Sequence, residues 1–182
     1  MNRMHRIRPD EFLRKIQEYV AITTIGASTL RNQGAPGVVE NARRFLADMN
    51  LECFVDLDKA QFNARLDHET ENLLKVLPVS SRPWGTARKA LNLFSREVLY
   101  NRYLCERFSF QHLESWLEIP LDSAVAHGLK KKAGRGALPI WPGLKHLTKD
   151  QSDEFQSFAQ CLADQMGIAR VHLDAYLWTE YR

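Results

Sequence analysis

Apolar residues recur along this chain at intervals of three and four positions, the spacing of one face of an α-helix, and alternating patterns typical of strands are nearly absent. The first clear example follows Pro9 and Asp10, two residues that favour the start of a helix. Its apolar stripe consists of Phe12, Leu13, Ile16, Tyr19 and Val20. The pattern as a whole predicts an all-α protein.

The same periodicity predicts about eight helices. In chain order they lie in residues 9–25, 36–49, 57–77, 84–106 and 110–118, in a segment that begins at Asp122, and in residues 149–166 and 169–181. Residues 84–106 form the longest uninterrupted pattern and are expected at the centre of the fold. Residues 133–146 are rich in glycine and proline and are expected to form a connection.

Length and composition predict one compact domain, residues 1–182, because a chain of this size can bury one sizeable core. No apolar run approaches the roughly 20 residues that a membrane span needs. No apolar stretch follows the basic N-terminal residues, so we expect no secretory signal and a cytoplasmic protein without a membrane partner. The cysteines are odd in number and lack CxxC spacing, which indicates neither a disulfide framework nor a metal site. No cofactor is expected.

The net charge of +3 permits a polyanionic partner without requiring one. The candidate contacts with such a partner lie in two polar segments. In one, Lys130, Lys131, Lys132 and Arg135 fall within six positions beside two glycines, which indicates either a solvated loop or a phosphate-binding surface. In the other, residues 28–37, the glycines and the proline explain a turn, but they do not explain why Arg31, Asn32 and Gln33 cluster there.

Two residues far apart in the chain are candidates for chemistry. Lys89 lies among small apolar neighbours on the central helix, where loss of hydration would favour the neutral, nucleophilic amine, although an exposed helix lysine is the simpler interpretation. Asp122 follows an apolar step where a helix begins, so it is a predicted N-cap. It lies 33 residues beyond Lys89, and only the fold could bring the two together.

Asp174 and Trp178 lie one helical turn apart on one face of the last predicted helix. An acceptor beside a large aromatic ring suits a flat ligand that carries N–H donors. The commoner alternative is a helix acid beside a core tryptophan.

The segments "WGTARKALNLF" and "EIPLDSAVAHGLKK", with the late Asp-x-x-x-Trp, resemble the helix-hairpin-helix DNA glycosylases, and among these the archaeal 8-oxoguanine DNA glycosylase branch. The resemblance spans roughly residues 10 to 182 as short motifs. It implies an all-α fold with a helix-hairpin-helix element. The hairpin motif is only loosely kept, in Leu77, Pro78 and Gly85, and the residues after the aspartate differ from the usual pattern.

The same resemblance implies a role for each candidate. Lys89 is the amine that attacks the sugar, and Asp122 is the catalytic carboxylate. Asp174 and Trp178 hold the extruded base. The implied DNA contacts are the duplex-entering Gln33 and, at a phosphate, the backbone of Gly85 and Thr86.

The resemblance therefore implies a monomeric DNA repair enzyme that excises 8-oxoguanine from duplex DNA through a lysine Schiff base and then cleaves the strand as an abasic-site lyase. Three alternatives stay open. One is a glycosylase of the same fold for another damaged or modified base. Another is a non-catalytic DNA-binding helical module, which would use Gln33, Lys130, Lys131, Lys132 and Arg135 only for phosphates and shape. The last is a helical protein-interaction domain.

Overall fold

The computed structural model describes residues 8–26, 29–30, 35–80 and 82–181. Within these residues the chain forms eight α-helices and no strand, which confirms the predicted all-α class. The helices are α1 (Pro9–Thr24), α2 (Val38–Asp48), α3 (Lys59–Val76), α4 (Trp84–Tyr100), α5 (Arg102–Arg107), α6 (Ser123–Ala133), α7 (Lys149–Met166) and α8 (Leu173–Tyr181). Short 3₁₀ turns lie at Leu51–Phe54, Phe110–His112 and Arg170–His172.

Local side-chain chemistry fixes several helix ends. α3 and α7 each begin with a capping box, formed by Asp58 with Gln61 and by Thr148 with Gln151. α7 ends at Gly167, whose φ of 68° is the left-handed conformation that glycine adopts readily. The last two predicted helices are therefore separated at Gly167, as the sequence predicts.

Two predicted helices are wrong. The single helix expected over residues 84–106 divides at Asn101, which ends α4 and whose side chain accepts a hydrogen bond from Leu104 N at 3.2 Å to cap α5. Asparagine competes for backbone groups in this way and favours helix starts over helix interiors. Residues 110–118 form a 3₁₀ turn followed by further turns. Phe110, Leu113 and Leu117 are buried there and Trp116 is half-buried, but the segment is not a continuous helix.

α4 lies at the centre of the molecule, as its uninterrupted pattern predicts. Leu91, Phe94 and Val98 of this helix belong to a large core cluster shared with α1, α2, α3 and α5. A second cluster is built mainly by α6, α7 and α8, and Trp84 at the start of α4 packs against it. None of the helices in the described part of the chain combines the length and apolarity that a bilayer-spanning segment needs.

The first turn of α4 packs against the long connection before α7 with no room for a side chain at Gly85. A Cβ atom there would lie 2.6 Å from the carbonyl oxygen of Leu144 and 2.8 Å from Leu147 Cβ. The next residue, Thr86, is fully buried. Glycine at this position is therefore explained by close packing.

We expect Gly85→Ala to lower the free energy of unfolding by about 1–3 kcal/mol, because the new methyl group meets a backbone atom that cannot rotate away. Gly128→Ala is the matched control, since its Cβ would approach the side-chain carbons Tyr181 Cδ2 at 2.7 Å and Leu177 Cδ2 at 3.1 Å, which can move. Urea denaturation measures both. An equal or larger loss at Gly128 would contradict the packing at Gly85.

Candidate active site

A cleft of about 480 Å³ is lined by α4, the N-terminus of α6, α8 and the turn at Thr29. We call it the Lys89 cleft. Lys89, Asp122, Asp174 and Trp178 all line it. The fold therefore brings together the four residues that the sequence singled out from three distant segments, while their chemical roles stay predictions.

Lys89 lies with its amine largely removed from water, on the second turn of α4. Its Nζ donates to the carbonyl oxygen of Thr29 at 3.1 Å and to Asp122 Oδ2 at 3.4 Å. Burial lowers the pKa of this amine, and the Arg96 guanidinium adds to that effect, whereas the Asp122 carboxylate opposes it. The net lowering means that the neutral amine is easier to reach here than in an exposed lysine.

Asp122 uses its two carboxylate oxygens for two different purposes. Oδ1 accepts hydrogen bonds from Ala124 N at 2.9 Å and Val125 N at 3.0 Å, which caps α6 as predicted. Oδ2 faces Lys89 Nζ. The helix start thus fixes the direction of the carboxylate, and one oxygen stays available beside the amine.

A buried ion pair holds the segment that carries Asp122. Arg88, the neighbour of Lys89, donates through Nε and Nη2 to the two carboxylate oxygens of Glu118 at 2.8 and 2.9 Å. Asn92 adds a hydrogen bond to Glu118 at 2.8 Å. Burial opposes ionisation of Glu118, but Arg88 and Asn92 outweigh it and lower the pKa of that carboxyl. The charged pair therefore persists inside the protein and links α4 to the approach to α6.

Side chains from the C-terminal half hold the backbone of the same segment. Gln156 of α7 accepts from Ile119 N at 3.1 Å and donates to Ile119 O at 2.8 Å. Arg170 donates to Trp116 O at 3.0 Å and to Leu117 O at 3.3 Å. These contacts satisfy backbone groups that no helix covers, and they make residues 116–119 a fixed support for Asp122.

Asp174 is buried, and it forms an ion pair with Arg96 of α4 across the cleft. Arg96 also donates to Glu97 Oε1 through Nε at 3.0 Å. The Asp174 carboxylate is therefore already engaged by a cation, which the sequence did not indicate. Trp178, one turn later, lines the cleft and keeps 42% of its surface exposed. The alternative interpretation of this residue, a tryptophan buried in the core, is therefore wrong.

The predicted DNA contacts fall into three groups. Arg31 and Gln33 lie outside the described residues. Gly85 packs against Leu144 and Leu147, Thr86 is buried, and Thr86 N donates to Pro83 O at 3.1 Å. A phosphate would have to displace this packing to reach either residue.

Lys130, Lys131 and Lys132 form the last turn of α6, not a loop. The cluster is exposed beyond Lys130, and Arg135 follows in the exposed turn. Lys131 lies over the ring of Tyr181 at 5.0 Å, and Lys132 pairs with Glu180 at 3.2 Å. At 1.5 Å per residue, Lys132 lies about 15 Å along the helix from Asp122, so the basic end of α6 is separate from the Lys89 cleft.

Sequence reasoning missed much of the α4 side of the cleft. Leu93, Arg96, Glu97 and Tyr100 line it together with Lys89. They follow Lys89 by four, seven, eight and eleven positions, which is the spacing of one helical face. Extending the helical stripe from Lys89 would have found them.

No protein family, curated protein or solved structure matches the chain in comparisons with known proteins. The proposal of function below therefore depends on the geometry of the Lys89 cleft and on the motif resemblance described above.

We expect Glu118→Gln to lower the free energy of unfolding by about 3 kcal/mol, because the Arg88 guanidinium loses its buried counter-charge and keeps only the more exposed carboxylate of Asp67, 2.9 Å from Nη1. Glu106→Gln is the matched control. Its carboxylate makes an exposed pair with Arg102 at 3.0 Å, and such pairs contribute less than about 1 kcal/mol. Denaturant titration compares the two. Losses of similar size would contradict a supporting role for the buried pair.

Proposed function

We propose that the protein is a DNA glycosylase with abasic-site lyase activity, which extrudes a damaged purine from duplex DNA and excises it through a Schiff base on Lys89. The observation that carries this proposal is the pairing of a desolvated amine with a helix-capping carboxylate at the edge of a cleft. The motif resemblance supports 8-oxoguanine as the base. The proposed active unit is a monomer.

The chemistry needs a neutral amine, and the burial of Lys89 favours one. Nζ attacks C1′ of the damaged nucleotide, the C1′–N9 bond breaks, and its electron pair leaves with the base, which takes up a proton. Loss of the amine proton and opening of the sugar ring give a Schiff base between Nζ and C1′. Removal of a C2′ proton then expels the 3′ phosphate by β-elimination.

Asp122 has the position needed to assist the first step. Its Oδ2 lies 3.4 Å from Lys89 Nζ, so it can accept the proton that the amine loses on attack. A fixed carboxylate also stabilises the positive charge that develops on the sugar as the base departs. Because Oδ1 is held by two backbone N–H groups, the Asp122 carboxylate needs no reorientation during the reaction.

The remaining cleft residues suit an extruded base. Base extrusion costs a few kcal/mol of stacking, which a protein offsets by stacking and hydrogen bonds in a pocket. The exposed ring of Trp178 offers a stacking surface, and Asp174 holds the Arg96 guanidinium beside it, which offers a donor to the base. The basic end of α6 would contact backbone phosphates outside the cleft.

The helix-hairpin-helix element of the proposal is the pair α3 and α4, which pack against each other. Arg82 in their connection donates to Leu77 O and Lys75 O, both at 2.9 Å, and so satisfies carbonyls at the end of α3. The second helix of the pair carries Lys89.

Borohydride trapping on a duplex with one 8-oxoguanine tests the proposal. We expect a covalent adduct that requires the lesion and is absent for Lys89→Gln, which keeps a donor at this position but no nucleophile. Lys59→Ala, at an exposed position on α3, is the matched control and should trap as the wild type does. Asp122→Asn should slow base release strongly while still capping α6.

Two results would separate the alternatives. An adduct on another lesion but not on 8-oxoguanine would keep the mechanism and change the base. No adduct and no base release on any lesion, with salt-sensitive DNA binding intact, would contradict the enzyme and leave a DNA-binding module.

The pH dependence of trapping tests the electrostatics of the amine. On a duplex that already contains an abasic site, the adduct forms faster as pH rises, because the neutral amine is the reactive form. Asp122 raises the pKa of Lys89, so Asp122→Asn should lower that pKa further and move the midpoint of the profile to lower pH. Asp150→Asn, at an exposed position in the first turn of α7, should not move it. A shift to higher pH in Asp122→Asn would contradict the arrangement.

A further inference from the structure

A chain of three side chains borders the Lys89 cleft and takes no part in the steps above. Tyr100, on the last turn of α4, lines the cleft and keeps 49% of its surface exposed. Its Oη lies 2.8 Å from His172 Nδ1, and His172 Nε2 lies 2.6 Å from Glu114 Oε1. The two rings are nearly parallel, at 10° with centroids 5.7 Å apart.

The hydrogen bonds among Tyr100, His172 and Glu114 determine whether the tyrosine hydroxyl donates or accepts. A carboxylate can only accept, so Glu114 takes the hydrogen bond from Nε2–H of His172. In the neutral imidazole the other nitrogen, Nδ1, then carries a lone pair and accepts. While His172 is neutral, the Tyr100 hydroxyl therefore donates its proton to Nδ1, and it presents only lone pairs in other directions.

The carboxylates that line the same cleft are committed to cations. Among the described residues, Asp122 pairs with Lys89, and both Asp174 and Glu97 pair with Arg96. Among the same residues, the Tyr100 oxygen is a neutral acceptor that receives no hydrogen bond from a lysine or arginine. A ligand N–H that enters a cleft loses its water and needs a partner of this kind.

We propose that Tyr100 is a specificity-determining residue that accepts a hydrogen bond from an N–H group of the extruded base. His172 and Glu114 are positioning residues, which hold the hydroxyl in the acceptor-only state. This inference rests on the proposed glycosylase function and deepens it. A base that turns a lone pair toward Tyr100 meets repulsion, so the residue would select bases by the donor pattern of one edge.

The test couples a change in the protein to a change in the base. Tyr100→Phe removes the hydroxyl and keeps the ring on His172. Tyr103→Phe is the matched control, because Tyr103 is exposed and packs edge-on against Phe12, away from the cleft lining. The substrates are duplexes with 8-oxoguanine and with analogues in which one N–H at a time is replaced: N1-methyl, N7-methyl and 2-deamino. Single-turnover base release is measured in mildly alkaline buffer, which favours neutral imidazole.

We expect Tyr100→Phe to slow release of 8-oxoguanine by about tenfold, the effect of one lost hydrogen bond. For one of the three analogues the wild type should show a similar loss, and Tyr100→Phe should show no further loss on that analogue. Tyr103→Phe should behave as the wild type. Glu114→Gln should reduce the coupling, because an amide can donate as well as accept and no longer fixes the imidazole tautomer.

Losses from the variant and from the analogue that multiply for every analogue would overturn the inference. The three side chains would then be a packing contact between α4, the 3₁₀ turn Arg170–His172 and the turn that carries Glu114. Trapping on an abasic site separates this failure from failure of the proposed function. A wild type that forms this adduct keeps the proposed function, whatever the outcome with the analogues. A wild type that neither traps nor releases any base would overturn the proposed function and this inference together.

Discussion

The ion pair between Arg88 and Glu118 joins α4 to the segment before α6 inside the protein, and the Lys89 cleft depends on it. Arg88 is the residue before Lys89, and Glu118 is four residues before Asp122. One bidentate interaction, made of two hydrogen bonds, therefore fixes the helix that carries the amine relative to the segment that carries the carboxylate. A buried pair of this kind adds little net stability compared with apolar residues, but loss of one partner is costly. Its effect here is to determine which two backbones lie side by side.

That arrangement leaves Lys89 under opposing influences. Burial disfavours the ammonium form and Asp122 favours it, and burial prevails, so the pKa of the amine is lowered while a carboxylate stays within 3.4 Å. A lysine with full hydration would be charged and unreactive, and one buried with no carboxylate nearby would have no group to take its proton. Asp122 can cap α6 and contact the amine at the same time, because Oδ1 accepts the hydrogen bonds of the helix start and Oδ2 faces Lys89.

Periodicity in the sequence predicted the fold class, the central place of α4 and the cap at Asp122, because these depend on neighbours within a few residues. It failed at Asn101, where a side-chain cap overrides an unbroken apolar pattern, and at residues 110–118, where apolar residues are buried without forming a helix. Arg88 and Glu118 gave no local signal, since the pair is made across 30 residues. Arg96 and Tyr100 did carry a signal, the helical spacing from Lys89, although their partners Asp174 and His172 lie on a distant segment.

The central claim is that the buried amine of Lys89, and no other nitrogen of the chain, forms the covalent bond to the sugar. Mass spectrometric mapping of the reduced adduct, formed on an abasic duplex and digested with protease, tests it most directly. The account predicts that the sugar remnant is attached to the peptide that contains Lys89. Attachment at Lys130, Lys131 or Lys132, or at several lysines in proportion to their exposure, would contradict it, because those side chains are solvated cations at the far end of α6.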